Sequence, residues 1–355
     1  MFPSMNSTHC LLASALLTLA ISVSATPVSD AQTALQGKDP AAAIRILEQA
    51  AKAGDQAAKG TLASYLRAMP APYRDVERAC ALALEAANAG DPTGAVTRSE
   101  CLITGAVKAE QPWTQARALA HQGRAAHIPS AGFAQYAAFA MDPQYVYNGE
   151  GRPDKARYDA LAALPLSARA DQIEAYNGLS EAMNLGLVNA FMAALGYLLE
   201  TSAPGNVKRA LGVANVLQRT GNQIPEPMMP GLRMGSEALK LGTTHASPAA
   251  FSDAMRSVLT TAAAKVSVMN NTPCAAADIK PKRLVASEVQ HPVYLPIQKG
   301  PLSDTYLVSG QWTETWSISA CGKDMDVQVA FSADGWGGAK FMATLPAEGG
   351  EPVTK

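Results

Sequence analysis

The sequence predicts a mainly α protein: an α-solenoid of helical hairpins over 30–268, followed by a small antiparallel β domain over 275–347. Three observations predict it. Pairs of alanines seven residues apart recur along the first two thirds of the chain. A glycine stands four residues after the second alanine in most copies. From Asn270 onward the apolar spacing changes to alternation. With 48% apolar and 17% charged residues, the chain can bury a sizeable core.

Residues 1–25 are expected to be a cleaved signal peptide. "CLLASALLTLAISVSA" is a short apolar run ending in the small residues Val23-Ser24-Ala25, although Met1 to His9 carry no Lys or Arg. The run is shorter than the ~20 residues of a membrane span, and no later stretch approaches that length. The expected location is therefore the periplasm or the secreted space. Without Cys10, four cysteines remain: Cys80, Cys101, Cys274 and Cys321. An even number in an exported chain reads as two disulfides, and spacing suggests Cys80–Cys101 and Cys274–Cys321. No CxxC pair is present, so zinc ligation and thiol redox chemistry are poor readings.

Five segments carry the alanine pairs. They are Ala43 and Ala50, Ala79 and Ala86, Ala118 and Ala125, Ala156 and Ala163, and Ala175 and Ala182. Seven residues are two helical turns, so each pair shares a face. Gly54, Gly90 and Gly186 follow as C-caps, where a left-handed backbone suits a residue without Cβ, and Pro129 takes that slot in the third copy. The second alanines stand at 50, 86, 125 and 163, a near-constant step, but the next is at 182. Either the helix after Asp154 or the one after Ala168 is therefore out of register. A weaker copy runs from Ala210 to Gly221. Asp39-Pro40 and Asp91-Pro92 read as N-cap and first helical residue. The second helices of the hairpins are expected near 56–67, 92–104 and 130–141. With the turn at Gly90-Asp91, Cys80 and Cys101 stand level, which permits a bridge contributing ~3 kcal/mol. After the proline-rich break "NQIPEPMMPG", helices are expected near 231–241 and 248–265, with Met228 and Met229 as packing residues.

Gly149, Glu150, Gly151, Pro153 and Asp154 form a G-x-G-x-P-D joint before a helix. A phosphate loop is a poor reading of it, since no Ser or Thr follows Lys155. The joint, together with the alanine period over 39–222, resembles Sel1-like repeats, relatives of the tetratricopeptide family. Arg152 stands where that family usually has valine, and the joint is one residue short. The resemblance implies an α-solenoid that holds other proteins, and no catalytic residues.

The tail reads differently. Asn270 to Arg283 is linker-like, and short β-type runs follow. Trp312, Trp316 and Ile318 fall on one face of a strand, with Thr313, Thr315 and Ser317 on the other. Val327, Val329 and Phe331 alternate likewise, with turns at Gly322-Lys323 and Asp334-Gly335. A unit of ~75 residues has a thin core, which the Cys274–Cys321 bridge is expected to support.

Chemistry is sparse. His121, His127, His245 and His291 form no ligand spacing, and no G-x-S-x-G is present. Asp324 and Asp326 read as a solvated turn, and Asp171 and Glu174 as a solvated helix face. No metal, cofactor or catalytic residue is expected, and a net charge of -1 argues against a nucleic-acid footprint. The expected function is a non-enzymatic envelope scaffold that grips another envelope or secreted protein, or a peptide, in a concave groove. Arg45, Lys52, Arg117 and Arg124, on first helices of hairpins, are candidate contacts. The alternative is a peptidoglycan enzyme accessory or glycan-binding protein, with Trp336 stacking on a sugar ring.

Overall fold

The computed structural model describes residues 26–344 apart from 147–149, 151, 271–272, 276–277 and 299. The expected leader, Gly149 and Gly151 lie outside the described residues. The chain is mainly helical and ends in a small antiparallel sheet.

Helices α1 (Pro27–Gln36), α2 (Pro40–Lys52), α3 (Gln56–Ala68), α4 (Val76–Asn88), α5 (Pro92–Ile103), α6 (Pro112–Ala125) and α7 (Ala131–Ala140) follow one another. Each packs on the next, and α3, α5 and α7 also touch in turn. These three are the second helices expected from the sequence. Asp39 and Asp91 cap as their positions suggested: their Oδ1 atoms accept from the Ala42 N–H at 2.8 Å and the Gly94 N–H at 2.6 Å. The Cys80–Cys101 disulfide joins α4 to α5 across the turn, with Cα atoms 5.9 Å apart.

One turn recurs. At Gly90 (φ 86°) the N–H donates to the Ala87 carbonyl, and the next N–H, of Asp91, donates to that of Ala86. This Schellman pairing returns at Gly54, Gly186 and Gly221. The third hairpin differs from expectation. The left-handed residue there is His127 (φ 58°), not Pro129, and Ile128 donates to the Gly123 carbonyl. The alanine register shifts with it. Ala118 and Ala125 are exposed, whereas Ala116, Ala120 and Gly123 are buried. Helix α6 carries small residues on both faces, so alanine spacing alone does not select the buried one. Because a side chain in the left-handed region costs ~1 kcal/mol, His127→Gly is expected to stabilise the fold by about that amount. A urea midpoint that rises at unchanged slope checks it.

The fourth alanine pair is the one out of register. Beyond α8 (Pro143–Val146), helix α9 (Lys155–Ala162) buries none of its residues fully, and Ala156 and Ala163 are exposed. It is only eight residues long and has few large apolar side chains to bury. Helix α7 packs instead on α10 (Ala170–Asn184), where Ala175 and Ala182 are buried as expected. The series continues through α11 (Val188–Glu200), α12 (Asn206–Arg219), α13 (Met229–Leu241) and α14 (Pro248–Asn270).

The sheet holds β1 (Ile279–Ala286), β2 (Gln290–Tyr294), β3 (Leu307–Ala320), β4 (Lys323–Ala333) and β5 (Ala339–Thr344). The order is β1-β3-β4-β5, with β2 pairing to the N-terminal part of β3. Strand β1 corrects the linker reading of residues before Arg283. Its Lys280, Pro281, Lys282 and Arg283 look unlike a strand because β1 is an edge, where proline and charge are tolerated, and its register shifts at Pro281. The core is also thicker than expected. Phe251, Ala254, Val258, Ala262 and Val266 of α14 lie buried against Trp312, Trp316, Ile318, Val327, Val329 and Phe331. The period-3.6 face of one element meets the period-2 face of the other. The Cys274–Cys321 disulfide joins the segment after α14 to the β3–β4 turn, whose positive-φ residues are Cys321 and Gly322.

Two connections of the sheet reach back to the helices. In the β2–β3 connection, Leu295, Ile297, Leu302 and Tyr306 are buried in the core formed by α10, α11 and α12. The β4–β5 turn, Asp334 to Gly338, places the Gly337 carbonyl on the Ser202 N–H at 2.7 Å.

Candidate functional site

Where these two connections meet the helices, a cleft of about 460 Å³ opens. Its walls are aromatic. Helix α7 supplies Tyr136 and Phe139, three residues apart and so on one face; α8 supplies Tyr145 and α9 supplies Tyr158. Tyr176 comes from α10 and Tyr197 from α11, while Tyr306 and Trp336 come from the sheet connections. Tyr176 is the hub, with ring centroids 4.9 Å from Tyr197, 5.3 Å from Tyr306, 5.7 Å from Tyr136 and 6.2 Å from Phe139. Tilted and edge-on contacts of this kind fit the ring quadrupoles.

Most of the hydroxyls are already committed. Tyr145 donates to Asp171 at 2.9 Å and Tyr158 to Asp334 at 2.5 Å. Tyr306 accepts from Gln172 Nε2 at 2.7 Å, and Tyr197 shares a 2.7 Å bond with Thr305. Glu200, at the end of α11, stands at the rim, and its surroundings push its carboxyl above the usual range by desolvation. Two further hollows adjoin. One, of about 280 Å³, shares Tyr145 and Trp336; the other, of about 490 Å³, shares Gly196, Glu200 and Met228. Met228, read from sequence as packing, thus forms part of a wall.

Six of the ten tyrosines line the cleft. Burial raises the pKa of all six; for Tyr136, burial and then the Glu200 charge push it up to about 12. A raised folded-state pKa means that the neutral form is favoured in the native protein. That contribution to stability is complete below ~10, the pKa of an unfolded tyrosine, and is lost as pH rises towards 12. Absorbance titration at alkaline pH is therefore expected to release the cleft tyrosines late, together with unfolding.

The sequence-selected residues are scattered. Arg45 and Lys52 are exposed on α2, away from the cleft lining. Arg117 pairs with Asp142 at 2.8 Å and Asp171 at 3.3 Å, with its guanidinium 5.8 Å from the Tyr145 ring centre. Arg124 pairs with Glu174 at 2.7 Å and Glu181 at 3.0 Å. Both therefore tie α6 to α10 within the molecule, and Asp171 and Glu174 are their ion-pair partners. Trp336 alone reaches the cleft, half-buried, with Arg169 stacked 5.7 Å from its ring centre. Asp324 is bound by Lys282 at 2.6 Å, and no group of three metal-ligating residues occurs among the described residues. No described helix is long and apolar enough to cross a membrane. The tyrosines were missed because they lie singly between positions 136 and 306, with no local motif.

Comparison with known proteins adds no relative: no family model, no curated protein and no solved structure matches the chain.

Proposed function

We propose that this chain is a non-catalytic binding protein of the periplasm or secreted space, a Sel1-like array of helical hairpins that holds a peptide or protein partner. The observation that carries the reading is the aromatic cleft with its two adjoining hollows. Rigid aromatic rings give large contact area at small entropic cost, and they anchor binding sites out of proportion to their number. Chain-order packing of the helices and the repeated Schellman turn support the hairpin array, in which a solenoid would form by stacking. The two disulfides support an oxidising compartment.

The test is capture from envelope extract with the immobilised chain and with a Tyr176→Ala/Trp336→Ala double variant. A protein retained by the first and released by the second supports the reading. No retained protein, or equal retention, overturns it. The second reading, a glycan-binding accessory of cell-wall chemistry, is favoured by the position of Trp336 on the cleft. Co-sedimentation with purified sacculi that depends on Trp336 would support it.

A further inference from the structure

We infer that the cleft receives the side-chain ammonium of a lysine-type residue, held beside the edge-packed rings of Tyr136 and Tyr176 with Glu200 as its counter-ion. That the lysine belongs to a peptide partner rests on the proposed binding function; the preference for an ammonium rests on the cleft itself.

Three observations carry the inference. First, the walls are aromatic, rings attract cations to their faces, and two of the cleft rings already take one: Arg117 on Tyr145 and Arg169 on Trp336. Second, Glu200 has no ion pair or hydrogen bond among the described residues, yet its charge lies close enough to raise the pKa of Tyr136 and Tyr176. The nearby native cations are turned elsewhere. Arg169 donates to the carbonyls of Leu164, Ala162 and Gly335, and Arg209 to the Pro204 carbonyl and Asn206. Third, the hydroxyls of Tyr136 and Tyr176 also have no hydrogen-bond partner among the described residues, and neither oxygen is an enclosed orphan. Glu200 and these two hydroxyls offer three acceptors to the three N–H donors of a primary ammonium. A quaternary ammonium could use the rings and the charge but not the hydroxyls. An anion would meet Glu200. A neutral sugar would find four of the cleft's tyrosine hydroxyls occupied.

The experiment titrates the full chain by NMR or calorimetry with Nα-acetyl-lysine-N-methylamide, its ε-trimethyl derivative, and the neutral Nα-acetyl-norleucine-N-methylamide. The lysine probe is expected to bind roughly tenfold more tightly than norleucine, about the magnitude of one cation–ring contact plus an ion pair. Glu200→Gln is expected to remove most of that preference without lowering the thermal midpoint, because the side chain has no hydrogen bond or ion pair to lose among the described residues. Equal binding of lysine and norleucine, indifference to Glu200→Gln, tighter binding of the trimethyl probe, or no binding of any probe overturns the inference. The two readings fail separately. A captured partner whose retention ignores Glu200→Gln would sink the ammonium and leave the binding function. Lysine-probe selectivity without any captured partner would do the reverse.

Discussion

Gly178→Ala is expected to cost about 3–5 kcal/mol, far more than the usual overpacking substitution. A Cβ built on Gly178 would stand 2.6 Å from the Gly132 carbonyl oxygen and 3.2 Å from that residue's Cα. The obstacle is backbone on both sides, since a Cβ on Gly132 would meet the Gly178 oxygen at 2.4 Å. No rotamer change relieves it; α7 and α10 must part. Parting them pulls Tyr136 from Tyr176 and stretches the bonds from Arg124 to Gln135 on α7 and to Glu174 on α10. The variant should therefore lose cleft binding along with stability. The control is Gly212→Ala in α12. Nothing lies within 4 Å of a Cβ there, so the better helix propensity of alanine should add about 1 kcal/mol. Urea denaturation followed by circular dichroism reads both, and equal midpoints for the two variants would refute the argument.

Much of the helical fold was legible because it rests on local chemistry. Asp39 and Asp91 announce helix starts, and Gly54, Gly90 and Gly186 announce ends, through bonds within a few residues. The paired cysteines followed from the same hairpin geometry. Legibility failed where a choice depended on the neighbour. Ala118 and Ala116 are equally small, and it is neighbours such as Val96, whose Cγ2 would lie 2.1 Å from a Cβ on Gly123, and Ser99, whose hydroxyl donates to the Ala116 carbonyl at 2.8 Å, that meet the inward face of α6. The core of the sheet was misjudged for the same reason: α14 covers it, and no feature of β3 says what lies above. The cleft was least legible. Its rings come from five helices and two sheet connections, so it exists only after the chain is folded. One signal was present and went unused. Glu314 stands between Trp312 and Trp316 at the strand period, on the face that alternation assigns to the core.

Glu314→Ala is accordingly the second large effect, with an expected cost of about 4 kcal/mol. The side chain is fully buried and accepts four hydrogen bonds. Oε1 takes the Thr244 hydroxyl at 2.8 Å, the His245 N–H at 3.0 Å and the Trp312 indole N–H at 3.1 Å, and Oε2 takes the Trp316 indole N–H at 3.0 Å. All four partners donate, so truncation leaves buried donors unpaired, at ~1–3 kcal/mol for each that water cannot reach. Glu314→Gln keeps the three-donor oxygen and sets its NH₂ against Trp316 alone, so about half the cost is expected. Thr244 and His245 lie between α13 and α14, which makes Glu314 the pin that holds the sheet to its covering helix. Its loss should loosen the sheet before the helical hairpins. In Glu314→Ala the tryptophan fluorescence transition in urea should then precede the far-ultraviolet dichroism transition, whereas the parent protein should show the two closer together. Because Tyr306 and Trp336 enter the cleft from the sheet, lysine-probe binding should follow the earlier transition. Coincident transitions in Glu314→Ala would mean that sheet and helices unfold as one unit and that the pin has no separate role.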